Sequence, residues 1–207
     1  MFIGLTYDLK SEYLKKGFLP DEVAEFDSEE TIEGIESALH KLGHKTERIG
    51  NILQLADALV NDKRWELVFN ICEGYYGMGR EAQVPALLDA YKIPYTFSDP
   101  LTLSLTLHKG LTKRVIRDAG IPTAQFFLVE NDKEAEICKL PFPVFIKPVA
   151  EGSGKGVSAK SIVHSQESFK LEVTRLIEEY HQPVLVEKLL TGREFTVGIL
   201  GTGKEAR

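Results

Sequence analysis

Apolar and polar residues alternate with two different periods along this chain, and the change of period marks its organisation. Residues 1–8, "MFIGLTYD", form an apolar run of the length of a buried strand. Asp27 with Glu30 has the spacing of a capping box. Ile32, Ile35, Leu39 and Leu42 then recur at helical intervals until Gly43 closes the helix. "HKTERIG" predicts a second strand, "NILQLADALVNDK" a second helix and "WELVFNI" a third strand. Strands alternating with helices of this length predict right-handed βαβ units on a parallel sheet. Residues 1–98 are therefore expected to form a Rossmann-like α/β domain that ends with "KIPYTFS".

The pattern changes after Asp99-Pro100. "PLTLSLTLHKGLTKRVIRDAG" predicts helix, ended by Gly120 and Pro122. "AQFFLV", "FPVFIKPV" and "KGVSAKSIV" have the composition of strands. "SQESFKLEVTRLIEEYH" predicts an amphipathic helix, with Ser165 and Ser168 at its cap and Phe169, Val173, Leu176 and Ile177 on one face. "PVLVEKLL" and "REFTVGIL" predict two more strands. Residues 99–188 are thus expected to form an α+β layer unlike the first domain, with residues 189–207 beginning a further unit.

Composition narrows the class. The chain has 207 residues, 43% of them hydrophobic, enough for a substantial core. Its 25 basic and 31 acidic residues give a net charge of -6, a poor match to a nucleic-acid-binding surface. "MFIGLTYDLK" lacks the basic and long apolar regions of a signal peptide, and no run of ~18 apolar residues is present. A soluble cytoplasmic protein with no membrane partner is expected. Cys72 and Cys138 lie far apart with no CxxC pattern, as buried or incidental thiols in a reducing compartment do. His40 and His44 have the spacing of a helical metal pair, but Gly43 ends the helix between them.

One stretch is too polar and too flexible for an ordinary strand end. "AEGSGKGVS", residues 150–158, follows "FPVFIKP" directly and is flanked by Lys147 and Lys155. Glycines let backbone N–H groups converge on an anion, and lysines supply the countercharge that a triphosphate needs. A Walker P-loop is excluded, since Val149 stands where its first glycine belongs and Gly156 where its Ser or Thr belongs. A plain glycine hairpin with a solvated Lys155 remains the alternative. "VLVEKLLTGREFTVGILG" places Glu187 at the end of one apolar strand and Glu194 at the start of the next. Such a connection can present an adenine edge with backbone donors and acceptors, and a ribose with a carboxylate. Read singly, these two residues are equally rim charges.

Taken together, "TLHKGLTKRVIRDAGIPT", "FPVFIKPVAEGSGKGVS" and "VLVEKLLTGREFTVGILG" resemble the ATP-grasp fold, and within it the D-alanine–D-alanine ligase branch, in order and spacing. The resemblance implies a Rossmann-like pre-ATP-grasp domain followed by an ATP-grasp small subdomain, with the third domain largely beyond this chain. It implies an ATP- and Mg²⁺-dependent carboxylate–amine ligase that acts on amino acids or peptides through an acyl phosphate, with ATP between the central and C-terminal domains. The oligomeric state is left open, with a homodimer as one expectation. Lys109 and Lys147 would contact phosphates, and Ser153 with the backbone of Gly154 and Lys155 would close over them. Glu187 and the backbone of Lys188 would meet the adenine amino group, the N–H of Leu190 a ring nitrogen, and Glu194 the ribose.

The chain also departs from that pattern. The family's glycine-rich first turn with Ser and Glu is replaced by "MFIGLTYDLKSEYLKKG", and its "HGxxGEDG" stretch by "NICEGYYGMGREAQVPALLD". Gly154 stands where a second serine is usual. Glu73 and Arg80 are candidates for a different amino-acid pocket, although Arg80 and Glu81 equally suit the first turn of a helix. The amino-acid substrate is left open. The family's metal carboxylates and catalytic arginine are expected beyond Arg207. A non-catalytic ATP-binding module and an ATP-grasp ligase for other amino acids are the alternatives.

Overall fold

The computed structural model describes residues 1–207, apart from the side chain of Asp132. Its first sheet is parallel, in the order β2-β1-β3: β1 is Phe2–Thr6, β2 Lys45–Gly50 and β3 Leu67–Asn70. Helices α2 (Glu29–Lys41) and α3 (Ile52–Val60) make the crossovers, and α4 (Gln83–Ala90) follows β3. The cap of α2 falls one residue later than the sequence suggested. Ser28, not Asp27, accepts from the Thr31 N–H, because Asp27 is already bonded through its backbone to Asp8 and Lys10. Asn51 and Gln54 form a full capping box on α3, and this amphipathic helix buries Leu55 and Leu59 against Trp65, Val68 and Leu88. A short helix, α1 (Lys10–Lys15), had no sequence signal of its own.

The long helix predicted after Pro100 is broken. Asp99 caps α5 (Pro100–Leu107), His108 leaves the helical region, and its ring Nδ1 caps α6 (Lys109–Asp118). The second sheet is antiparallel, in the order β4-β7-β5-β6: β4 is Phe126–Val129, β5 Val144–Pro148, β6 Ile162–Val163 and β7 Val184–Lys188. α7 (Asp132–Ile137) and α8 (Gln166–Tyr180) cover one face, where Phe169, Val173 and Leu176 pack on Val144, Ile146, Val184 and Val186. Strand alternation turns Phe145, Lys147 and Glu187 to the opposite face. There α6 approaches so closely that a Cβ on Gly110 would lie 2.7 Å from Leu128.

Two predicted strands differ. Of "KGVSAKSIV", only Ile162–Val163 forms a strand. Gly154 and Gly156 sit at φ +76° and +75°, and Ser158 caps a 3-10 turn with Ser161, so the segment turns where a strand would run straight. Residues 191–200 form no strand, and Phe195, Val197 and Ile199 remain exposed because no described strand lies beside them to complete a ladder. No helix among the described residues is long and apolar enough to cross a membrane.

Candidate functional site

The face of the antiparallel sheet opposite α8 carries the charged residues. β5 pairs with β7 so that Lys147 opposes Leu185 and Phe145 opposes Glu187, which makes Lys147 and Glu187 diagonal neighbours on one face. The Lys147 Nζ lies 2.7 Å from Glu187 Oε2. The other carboxylate oxygen, Oε1, lies 2.6 Å from the Nζ of Lys113, on α6. Burial would raise the Glu187 carboxyl, but hydrogen bonds and charge from Lys113 and Lys147 outweigh it and hold the group below its ordinary range. Lys113 was not singled out in the sequence. Its signal was there: it follows Lys109 by four residues on a helix, and therefore shares its face.

Lys109 opens α6 with its N–H donating to the Val149 carbonyl at 3.0 Å, which docks the helix against the end of β5. Its ammonium donates to the Glu151 carbonyl. Burial lowers its pKa, and the neighbouring Lys147 charge lowers it further. Lys109 and Lys147 thus converge where β5 enters the glycine turn, and Lys113 is linked to Lys147 through Glu187.

The turn itself is held from three sides. Gln182 donates to Glu151 Oε1 at 2.6 Å and accepts from the Ala150 N–H at 2.7 Å. The Gly152 N–H donates to Glu25. Glu25 also accepts from Arg80 Nη2 at 2.8 Å, and Arg80 Nη1 donates to the Ala150 carbonyl at 2.7 Å. Glu151 Oε2 has no well-aligned hydrogen bond and is held by ion pairs, 3.1 Å to Lys155 and 3.7 Å to Arg80. Lys155 is therefore folded back onto the turn, whereas Ser153 and Gly154 stand exposed, Ser153 at φ +48°. A Cβ at Gly156 would lie 2.5 Å from the Pro148 ring, so that glycine also allows the chain to pass close to β5.

Arg80, a candidate substrate contact from sequence, is buried in this junction and occupied by Glu25 and Ala150. It lines a cleft of about 600 Å³ together with Tyr75, Glu151, Lys155 and Tyr180. Glu73 lies elsewhere, in a cleft of about 360 Å³ beyond the end of β3, with Asp27, Asn70, Glu81 and Phe97. Burial and the carboxylates of Glu81 and Glu25 push its carboxyl up to about 7, against the opposing charge of Arg80. The structure does not bring the two candidates into one pocket.

Lys188 ends β7, its N–H donating to the Gln125 carbonyl at 2.9 Å. Leu190 and Glu194 follow on an exposed segment. Among the described residues, no group of three or more His, Cys, Asp or Glu side chains fits a metal ion.

Residues 115–207 match the family described as "D-ala D-ala ligase C-terminus". A D-alanine–D-alanine ligase of Xylella fastidiosa is 36% identical over 169 residues, which make up 78% of this chain and 53% of that protein. The chain spans about half the length of that curated relative. The crystal structure of a D-alanine–D-alanine ligase from Bacillus anthracis matches 93% of this chain and 58% of its own, with a TM-score of 0.67 and 22% identity. The same enzyme complexed with ATP matches with a TM-score of 0.59 and 19% identity, over 93% of this chain and 60% of that one.

Proposed function

From a chain that is D-alanine–D-alanine ligase-like and belongs to the ATP-grasp superfamily, we propose that its site binds ATP beneath the glycine turn as part of a carboxylate–amine ligase. The observation that carries this reading is the convergence of Lys109 and Lys147 at the mouth of a turn built from left-handed residues 153, 154 and 156. Lys109 and Lys147 neutralise the phosphates, and Ser153 closes over them with the backbone of Gly154 and Lys155. Glu187 and the Lys188 carbonyl accept from the adenine amino group, the Leu190 N–H donates to the ring, and Glu194 accepts from the ribose. Residues 1–98 act as the N-terminal domain, 99–188 as the central domain and 189–207 as the start of the C-terminal one, with ATP between the last two.

The chemistry is phosphoryl transfer followed by acyl transfer. A substrate carboxylate oxygen attacks the γ-phosphorus, and ADP leaves. An amine then attacks the acyl carbon, forming the amide and expelling phosphate, and the amine's extra proton passes to solvent. The residues described supply positioning and charge neutralisation. Magnesium, which the resemblance implies, finds no fitting carboxylate set among the described residues, and neither step is assigned to it. The substrates are amino acids or peptides, with Glu73 rather than Arg80 free to face an amine.

Calorimetric titration with ATP tests the reading. The wild-type chain should bind, and Lys147→Ala should weaken binding by about 2 kcal/mol, the size of a charge-assisted contact. A wild-type chain that does not bind ATP overturns the proposal. Equal affinities for the two proteins would remove Lys147 from the site.

A further inference from the structure

Glu187 has two lysine partners that differ in freedom. Lys113 is fixed: besides Glu187 it donates to Thr123 Oγ1 at 2.7 Å, sits 5.3 Å from the Phe126 ring centroid, and is 10% exposed. Lys147 is 26% exposed and rests 5.6 Å from the Phe145 ring centroid. Within this trio, Lys147 is the cation with the way out toward solvent and the glycine turn. If Lys147 moves to a phosphate, Glu187 loses one of its two countercharges while its side chain stays only 14% exposed. A carboxylate left without a countercharge in so confined a place takes up a proton or pulls the lysine back.

We propose that Lys113 is a positioning residue for nucleotide binding: it keeps Glu187 charge-compensated, so that Lys147 can transfer from that carboxylate to a phosphate with no proton taken up. This rests on the ATP-binding reading above. Among the described residues, Lys113 and Lys147 are the cations whose ammonium groups contact Glu187. From α6 it is faced by Lys113, with Arg117 further out, 5.5 Å from the Phe126 ring centroid. From β5 it is faced by Lys147 and its cross-strand partner Phe145. From β4 it is faced by the uncharged Phe126.

The test is the pH dependence of ATP affinity, measured by calorimetry between about pH 5.5 and pH 8, for wild type, Lys113→Met and Lys113→Arg. In Lys113→Met, binding requires Glu187 to gain a proton, so Kd should rise relative to wild type by up to about tenfold per pH unit where Glu187 titrates. The titration of ATP itself is common to all three proteins and cancels. Lys113→Arg should restore the wild-type profile. Parallel pH profiles for wild type and Lys113→Met, at whatever affinity, overturn the proposal. Should Lys113→Met fail to fold, the Glu187→Gln background decides, because an amide needs no countercharge. There, adding Lys113→Met should change ATP affinity by less than about twofold, and any larger further loss would overturn the proposal. Failure of the wild-type chain to bind ATP would overturn the nucleotide reading instead.

Discussion

Two charged clusters flank the glycine turn, and they are built oppositely. The Arg80 junction closes a planar guanidinium between Glu25, the Ala150 carbonyl and Glu151, with Arg80 and Glu25 only 7% and 5% exposed. The Glu187 cluster holds a carboxylate between two ammonium groups, and one of them, Lys147, is 26% exposed. Arginine's several donors fit a fixed set of acceptors, whereas lysine is a point charge on a flexible stem that exchanges partners readily. The first cluster therefore ties residues 25 and 80 to the turn, and the second keeps a cation available beside it. A resemblance between clusters of mixed charge says little about role. The number of acceptors each cation already satisfies says more.

The largest effect should come from breaking the sealed cluster. Arg80→Met leaves Glu25 buried with the Gly152 N–H as its remaining partner in the junction, and a buried carboxylate stripped of its cation costs about 3–5 kcal/mol. Urea denaturation should show that loss of stability. A change under about 1 kcal/mol would mean that Lys155 or solvent replaces the guanidinium, and the contrast between the clusters would fail.

The same experiment on the open cluster should give a smaller and different result. Lys147→Ala leaves Glu187 paired with Lys113, so folding stability should fall by no more than about 1 kcal/mol. The loss of ATP affinity, about 2 kcal/mol for a charge-assisted contact, should exceed the loss of stability. If stability suffers more than binding, Lys147 is a structural cation like Arg80.

Next in size is a pH effect in the cleft beyond β3. The Glu73 carboxyl is raised to about 7, first by burial and then by Glu81 and Glu25. A folded-state value above the unfolded one means that the native chain binds the proton more tightly. Glu73 therefore weakens stability progressively as pH rises from the unfolded value of 4.5 to about 7. Because the group is partly solvated, the penalty at pH 8 should be only about 1 kcal/mol. Glu73→Gln should remove it, stabilising the chain at pH 8 and changing nothing near pH 4. An equal gain at both pH values would assign the effect to packing and not to titration.

The readable part of this chain was what strict periodicity carries. The apolar runs "FPVFIKP" and "VLVEK" marked β5 and β7 and put Lys147 and Glu187 at their ends. The helical spacing of Ile32, Ile35 and Leu39 marked α2. Contacts between distant segments were not readable, because nothing local marks them. Glu25 meets Gly152 across 127 positions and Gln182 meets Glu151 across 31, and neither residue belongs to a motif. The break at His108 escaped because a ring Nδ1 seldom serves as a cap, so no usual capping residue marked the start of α6. Residues 193–200 show the converse: their alternation predicts a strand, but a strand exists only where a neighbour completes its ladder.

The smallest predicted effect lies within the turn. The Gly152 and Lys155 N–H groups are engaged, the latter with the Gly152 carbonyl at 2.8 Å, and Val157 N–H bonds to the Gly154 carbonyl at 3.0 Å. Ser153 and Gly154 protrude between them in left-handed conformations. A net hydrogen bond is worth about 1 kcal/mol, so in the nucleotide-free chain residues 152, 155 and 157 should exchange their amide protons roughly fivefold more slowly than 153 and 154. Adding a non-hydrolysable ATP analogue should slow Ser153 and Gly154 to match, because a turn that closes over phosphate orders the residues that were free. Amide exchange read by NMR resolves these five positions. Uniform protection across 152–157 before nucleotide is added would make the segment a rigid hairpin, and the closing role of Ser153 and Gly154 would fall, whereas Lys109 and Lys147 would keep theirs.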